Sequence, residues 1–342
     1  MPAITKPNQY FDATLYTGTN SSLSVTNGGS FQPDFVWTKV RSTTGQNVLN
    51  DSIRGVDKTL YSALTNAEQT NTAGTGITAF NSNGYTLGTQ ISGTGDTNYN
   101  GSTYVGWQWK AGGAAVTNTA GSITSQVSAN PTAGFSIVTW TGTGSTATIG
   151  HGLGVAPKMI IWMHRTNAGA YNHITYHASL PSAAYVVYLN LSNAQSSDNN
   201  AFNSTAPTSS VFTVGGYNSS DTMVAYCFAE VAGYSAFGSY TGNGSTDGSF
   251  VYLGFKPRFV MIKRSNTTGD WIIYDSARST YNGITSEIYP NLNNAEDNSS
   301  VDLDFVSNGI KLRNSGSGVN ASGDTYIYMA FAEAPLKYAT AR

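Results

Sequence analysis

The chain has 342 residues, 17 Lys and Arg against 19 Asp and Glu, a formal net charge of −2 and 11% charged residues. Charge this sparse and balanced leaves no electrostatic footprint for nucleic acid or for an anionic membrane surface. A content of 12% Phe, Trp and Tyr excludes a disordered chain, so the surface must be clothed in Asn, Ser, Thr and Tyr, which hydrogen-bond without the desolvation cost of ions.

From the N-terminus, Met1-Pro2-Ala3-Ile4-Thr5-Lys6-Pro7 lacks the apolar core of a signal peptide, and no stretch has membrane-spanning length, so synthesis in a cytoplasm is expected, with no membrane insertion. Tyr16-Thr17-Gly18 precedes by fifteen residues Pro33, which opens the strand-like Phe35-Val36-Trp37. Asp51-Ser52-Ile53-Arg54 and a brief helical pattern over 62–69 follow, and Tyr104-Val105-Gly106-Trp107-Gln108-Trp109 closes the unit. Residues 114–133, rich in Ala, Thr, Ser and Asn, read as a linker. The same spacing then recurs: Trp140-Thr141-Gly142 leads to Pro157, Met159-Ile160-Ile161-Trp162 and a closing Met223-Val224-Ala225-Tyr226-Cys227-Phe228. It recurs again as Tyr240-Thr241-Gly242, Pro257, Phe259-Val260-Met261-Ile262 and Tyr326-Ile327-Tyr328-Met329-Ala330-Phe331. Fixed spacing of this kind marks an internal repeat.

The units fall at 8–113, 134–233 and 234–336, with 337–342 a short tail; roughly 100 residues apiece is a domain's length. The closing runs are apolar on both faces and therefore central in their sheets. Short β-branched and aromatic runs punctuated by 37 glycines predict an all-β fold of three tandem antiparallel β-sandwich domains, jelly-roll or lectin-like. The second and third units meet without a spacer, which predicts a stiff junction.

Gly121-Ser122-Ile123-Thr124-Ser125-Gln126-Val127-Ser128-Ala129-Asn130, continuing through Gly134-Phe135-Ser136-Ile137-Val138 to Gly150-His151-Gly152-Leu153-Gly154-Val155-Ala156-Pro157-Lys158-Met159-Ile160, resembles a pattern frequent in virion proteins of tailed bacteriophages. The opening Lys6-Pro7-Asn8-Gln9-Tyr10-Phe11 and the closing Ala332-Glu333-Ala334-Pro335-Leu336-Lys337-Tyr338-Ala339 are similar to the same tail-fibre-like, concanavalin-lectin-like repeat family. The resemblance implies a virion component, made in the bacterial host cytoplasm, a homotrimer, with other virion proteins as partners.

Catalysis is not signalled. Gly-x-Ser-x-Gly, His-Glu-x-x-His and a phosphate loop ending in Gly-Lys-Ser/Thr are all missing, and neither a catalytic residue nor a cofactor is expected. Gly150-His151-Gly152-Leu153-Gly154 precedes a strand, without a helix to hold phosphate, and reads as a turn. All four histidines, His151, His164, His173 and His177, fall in the second unit. His173 and His177 on one strand face would lie roughly 13 Å apart, too far to share an ion, so no metal is expected. Asp302 and Asp304 alternate with apolar neighbours and read as a solvated strand face; Glu296 and Asp297 are the further donors a calcium site would use. Asp51 with Arg54, and Asp275 with Arg278, each begin eighteen residues after Pro33 and Pro257 and read as structural, the aspartate accepting turn N–H groups or pairing with arginine. Cys227 reads as a small buried hydrophobe. Candidate sugar-binding residues are Trp271 with Tyr274, just after a turn, and Tyr171, His173 and His177 in the second unit.

Two functions fit. One is a tail fibre or baseplate appendage whose loops contact host-surface glycans, docked on the virion through its first unit; the other is an architectural capsid decoration or head fibre without a ligand. Aromatics lining an exposed groove favour the first, aromatics consumed by core the second.

Overall fold

The structure, a computed structural model, describes residues 4–91, 96–166, 169 and 171–333. The first unit contributes β1 (Phe11–Thr17), β2 (Leu23–Thr26), β3 (Phe35–Val40), β4 (Asn47–Asp51), β5 (Lys58–Tyr61), β6 (Gln69–Thr70), β7 (Ile77–Asn81), β8 (Gly84–Leu87) and β9 (Thr103–Trp109). Next come β10 (Val116–Asn118), β11 (Ser125–Asn130), β12 (Phe135–Thr141), β13 (Ala147–Gly150), β14 (Met159–His164), β15 (Ile174–His177), β16 (Tyr185–Tyr188), β17 (Ser196–Ser197), a one-turn helix α1 (Asn199–Phe202), β18 (Val211–Val214) and β19 (Thr222–Phe228). The third unit has β20 (Ser235–Thr241), β21 (Phe250–Tyr252), β22 (Pro257–Arg264), β23 (Trp271–Asp275), β24 (Leu303–Val306), β25 (Gly309–Leu312) and β26 (Thr325–Ala332).

The fold is all-β, and each unit builds a large and a small sheet. The large sheets share one strand order, β1-β9-β3-β4, β12-β19-β14-β15 and β20-β26-β22-β23, with the doubly apolar closing strand inside each. The ladders that define them are antiparallel. The small sheets are β2-β8-β7, β13-β18 and β21-β25-β24. The repeated Thr-Gly has a steric cause. A Cβ on Gly18, Gly142 or Gly242 would lie 2.2, 1.8 or 2.2 Å from the carbonyl oxygen of Tyr99, Ser219 or Ala321, so only glycine lets the returning chain pass.

Two expectations are corrected here. Residues 114–133 are no linker: β10 and β11 extend the second large sheet beyond β12, with Val127 buried in that unit's core and the Ser128 hydroxyl accepting the Gly112 N–H. Their small polar side chains disguise a strand whose ladder groups do the holding. The segment 62–69 is turn and extended chain, while the helix at 199–202 starts at Asp198, whose carboxylate accepts the Asn200 N–H. The tail 337–342 lies outside the described residues.

The two apolar faces of the large sheets serve two different cores. Outward, each packs on its own small sheet: Val36 with Val25 and Leu87, Ile160 and Trp162 with Ile149 and Phe212, Val260 and Ile262 with Val251 and Ile310. Inward, all three face one another. Trp37, Trp107 and Trp109 of the first unit, Ile161, Tyr226 and Phe228 of the second, and Met261, Met329 and Phe331 of the third belong to a single buried cluster. Rings from different units touch directly, Phe35 stacking on Tyr226 at 4.2 Å and Phe11 on Phe331 at 5.1 Å. The units therefore do not enclose separate cores; they share a central one.

Contacts at the seams run in one rotational sense. Asn47 of the first unit donates its amide to the Tyr289 and Leu292 carbonyls of the third. The matching residue of the second, His173, donates to carbonyls of Tyr61 and Leu64 in the first, and that of the third, Trp271, donates through Nε1 to Tyr188 of the second. First to third, third to second, second to first is a closed head-to-tail ring, the arrangement of a cyclic trimer written in one chain.

Candidate functional site

The seams are where most of the chemistry lies. Register places Asp51, His177 and Asp275 at one equivalent position, opposite Phe35, Met159 and Phe259. Asp51 and Asp275 are fully buried, and each builds the same turn. One carboxylate oxygen accepts N–H groups two and three residues on; the other accepts Nε–H of Arg54 or Arg278. Those arginines reach back to the carbonyls of Leu49 and Ile273, and onward to Glu68 and Glu296.

Both networks then cross into the neighbouring unit. Asp51 accepts the Tyr226 hydroxyl and Glu68 is held bidentately by Arg165, both of the second unit. Asp275 accepts the Trp107 indole N–H and Glu296 is held bidentately by Arg41, both of the first. Burial alone would raise the Asp275 carboxyl, but the Arg278 charge and its hydrogen bonds prevail and hold it below the usual range. Glu68 and Glu296 are likewise lowered, burial being outweighed by Arg165 with Arg54 and by Arg41 with Arg278.

The seam between the second and third units carries none of these ions. His177 replaces the aspartate, Leu180 the arginine, Gln195 the glutamate, Ser265 the second arginine and Met329 the Tyr or Trp partner. His177 Nε2–H donates to the Tyr328 carbonyl at 3.0 Å and its Nδ1 accepts the Ser179 N–H, so the ring is held neutral. Burial pushes its pKa down to about 4.

The sugar-binding candidates therefore sit elsewhere than expected. Trp271, His173 and His177 are buried seam residues at 1%, 2% and 1% exposure, with the indole N–H and the Nε2 of each imidazole committed to backbone carbonyls. Tyr171 is half-buried, stacked on His164 at 4.0 Å and edge-on to Tyr217. His164 faces Asp221 through Nδ1 at 3.3 Å, and burial lowers its pKa to about 4. Tyr274 is fully buried, its hydroxyl between Glu287 and Asp302. The structure does not bring the five together. Cys227 is buried, and among the described residues no three His, Cys, Asp or Glu side chains gather as metal ligands.

Tyr274 leads to a cleft of about 350 Å³ in the third unit, walled by Asp270, Glu287, Tyr289, Asp297, Asp302 and Asn314. Asp302 and Asp304 are not a solvated face: both are buried, Asp302 accepting from Tyr274, Ser300 and Asn314, and Asp304 from the Gly283 N–H and Arg313. Burial, then the nearby Asp302, raises the Glu287 carboxyl. Glu287 accepts the Tyr289 hydroxyl and shares with Asp302 the single proton of the Tyr274 hydroxyl between them. The carboxyl pair thus has its oxygens engaged by protein donors, and its chemistry is to tie the loops around β24 together.

Sequence reading missed the seam residues Glu68, Arg41 and Arg165 and gave Glu296 only as a calcium donor, whereas it pairs with Arg41 and Arg278. Arg41 and Arg165 stand eight residues after their unit's proline, a signal as regular as the Asp-Ser-x-Arg motif. The glutamates follow Asp51 and Asp275 at unequal distances, and the insertion hides them.

A closed ring of three β-sandwich repeats around a common core, latched by buried ion chains, is the class of protein this chain represents. It belongs to the family described as Domain of unknown function (DUF7483), whose model matches residues 6–335, all three repeats together. No curated protein matches it.

Proposed function

We propose that the chain is an architectural component of a tailed-bacteriophage virion, assembled from the host cytoplasm onto the particle as a decoration or fibre element. The observation carrying this reading is the fate of its aromatic and imidazole groups: Trp271, Tyr274, His173 and His177 are buried in cores and seams instead of facing solvent. A neutral polar surface over a ring that needs no second copy to complete its core suits a durable particle component better than a catalyst. Threefold closure within one chain takes the place of the homotrimer implied by the resemblance.

Host-glycan adhesion is the second reading, favoured by one observation. On β21, Phe250 and Tyr252 are exposed at 49% and 67%, side by side, where the first unit has Ser24 and Thr26 on β2. Quantitative mass spectrometry of gradient-purified phage tests the main reading: a fixed copy number per particle is expected, and recovery only in the unassembled lysate would overturn it. Glycan-array binding abolished by Phe250→Ala with Tyr252→Ala would move the assignment to adhesion.

A further inference from the structure

The ring carries a threefold surface as well as a threefold core. At the end of β1, β12 and β20, exposed Thr17, Thr141 and Thr241 pair across the ladder with Thr103, Thr222 and Thr325. The turn beyond each is held in one shape by a fully buried asparagine, Asn98, Asn218 or Asn320, whose amide donates to the carbonyl of Ser21, Ser145 or Ser245. Its backbone carbonyl in each case accepts the N–H of the left-handed residue Asn20, Gly144 or Gly244.

The asparagine clamp explains the turn, but not the threonines that precede it. Two residues earlier on the same strands, the outward positions have drifted freely to Leu15, Thr139 and Ser239. Six threonines at six rim positions, in a chain whose seams have diverged as far as Asp to His, point to a constraint acting from outside on all three units alike. Rotational equivalence puts the three pairs at one level around the ring axis, as a crown of threonine hydroxyl groups.

We propose that this crown is a docking surface for a threefold-symmetric protein assembly, contacted through three equivalent sets of neutral hydrogen bonds. A partner with a single matching site would constrain one unit and leave the other two free to drift; a partner with threefold symmetry constrains all three. The inference rests on the virion reading, which supplies repetitive protein partners.

The test is cryo-electron microscopy of the intact particle, joined to copy-number measurement in particles carrying Thr17→Lys, Thr141→Lys or Thr241→Lys singly and all three together. The ring axis is expected to coincide with a local threefold axis of its neighbour, crown inward. Each single substitution should lower incorporation by a like factor, about fivefold if one hydrogen bond is lost, and the triple by about a hundredfold. Unchanged melting temperatures of the purified variants confirm that folding is intact. A ring in the particle but off any threefold axis, or a loss traced to one threonine alone, overturns the inference and leaves the virion reading standing. A chain absent from the particle overturns both.

Discussion

Asp275 shows what a seam latch does at the scale of one residue. Its carboxylate is surrounded by Arg278, two turn N–H groups and the Trp107 indole, all without access to water. Asp275→Ala leaves a buried guanidinium with its first partner gone, and such losses cost about 3–5 kcal/mol; the denaturant midpoint should fall accordingly. His177→Gln, at the equivalent position, keeps a donor for the Tyr328 carbonyl and strands no charge, so its effect should be about 1 kcal/mol or less. Equal losses at the two sites would remove the distinction between charged and neutral seams. Acid acts on these groups in two windows. Between roughly pH 6.5 and 4 an unfolded histidine binds a proton that buried His164 and His177, pushed down to about 4, refuse, so stability falls as pH drops through that range. His151 and His173 are lowered by burial as well and add to the slope. Below it, Asp275, Glu68 and Glu296 contribute stability that is complete above the unfolded carboxyl range near pH 4 and is lost as pH falls through their depressed folded values. Urea midpoints measured from pH 6.5 to 3 should decline in these two steps, the raised Glu287 carboxyl opposing the upper one and His177→Gln flattening it further.

At the scale of elements, the repeat made the strands legible wherever burial repeats. A closing strand apolar on both faces had to be central, and β9, β19 and β26 are each flanked on both sides. What two apolar faces could not reveal is that one of them belongs to the neighbouring units, because a pattern of burial does not name the surface that covers it. Trp271 illustrates the same limit: its position after a turn suggested exposure, yet the turn is roofed by Tyr188 from another unit. The segment 114–133 was illegible for a different reason, since a strand held mainly by ladder hydrogen bonds needs few apolar residues. Amides of 125–130 should be protected from hydrogen exchange to the same order as those of β12, and limited proteolysis should fail to separate the first unit from the rest. Rapid cleavage within 114–133 releasing two folded fragments would contradict the pairing of β11 with β12.

For the whole molecule, the shared core makes the three repeats one cooperative body. A solitary third unit, residues 234–333, would expose Phe259, Met261, Met329 and Phe331 on one sheet face, an apolar patch no stable monomer tolerates. Expressed alone it should be insoluble, unfolded or self-associated, as sedimentation and circular dichroism would show, and the intact chain should melt in a single calorimetric transition whose van't Hoff and calorimetric enthalpies agree. Three resolved transitions, or a soluble folded monomer from the third unit, would mean that the units stand by themselves.

The cleft of about 240 Å³ lined by Asn8, Phe11, Asp12 and Arg258 also includes Ala332 and Glu333, so the two ends of the described chain meet at the seam between the third and first units. In space the circle has no first member. A circular permutant that keeps residues 4–333, with those ends bridged by a flexible peptide and a new start at Ala114, keeps every latch described above and the buried Ile4. It should fold to the same circular-dichroism spectrum with stability within a few kcal/mol of the original, since moving the cut changes only which seam is closed without a covalent connection.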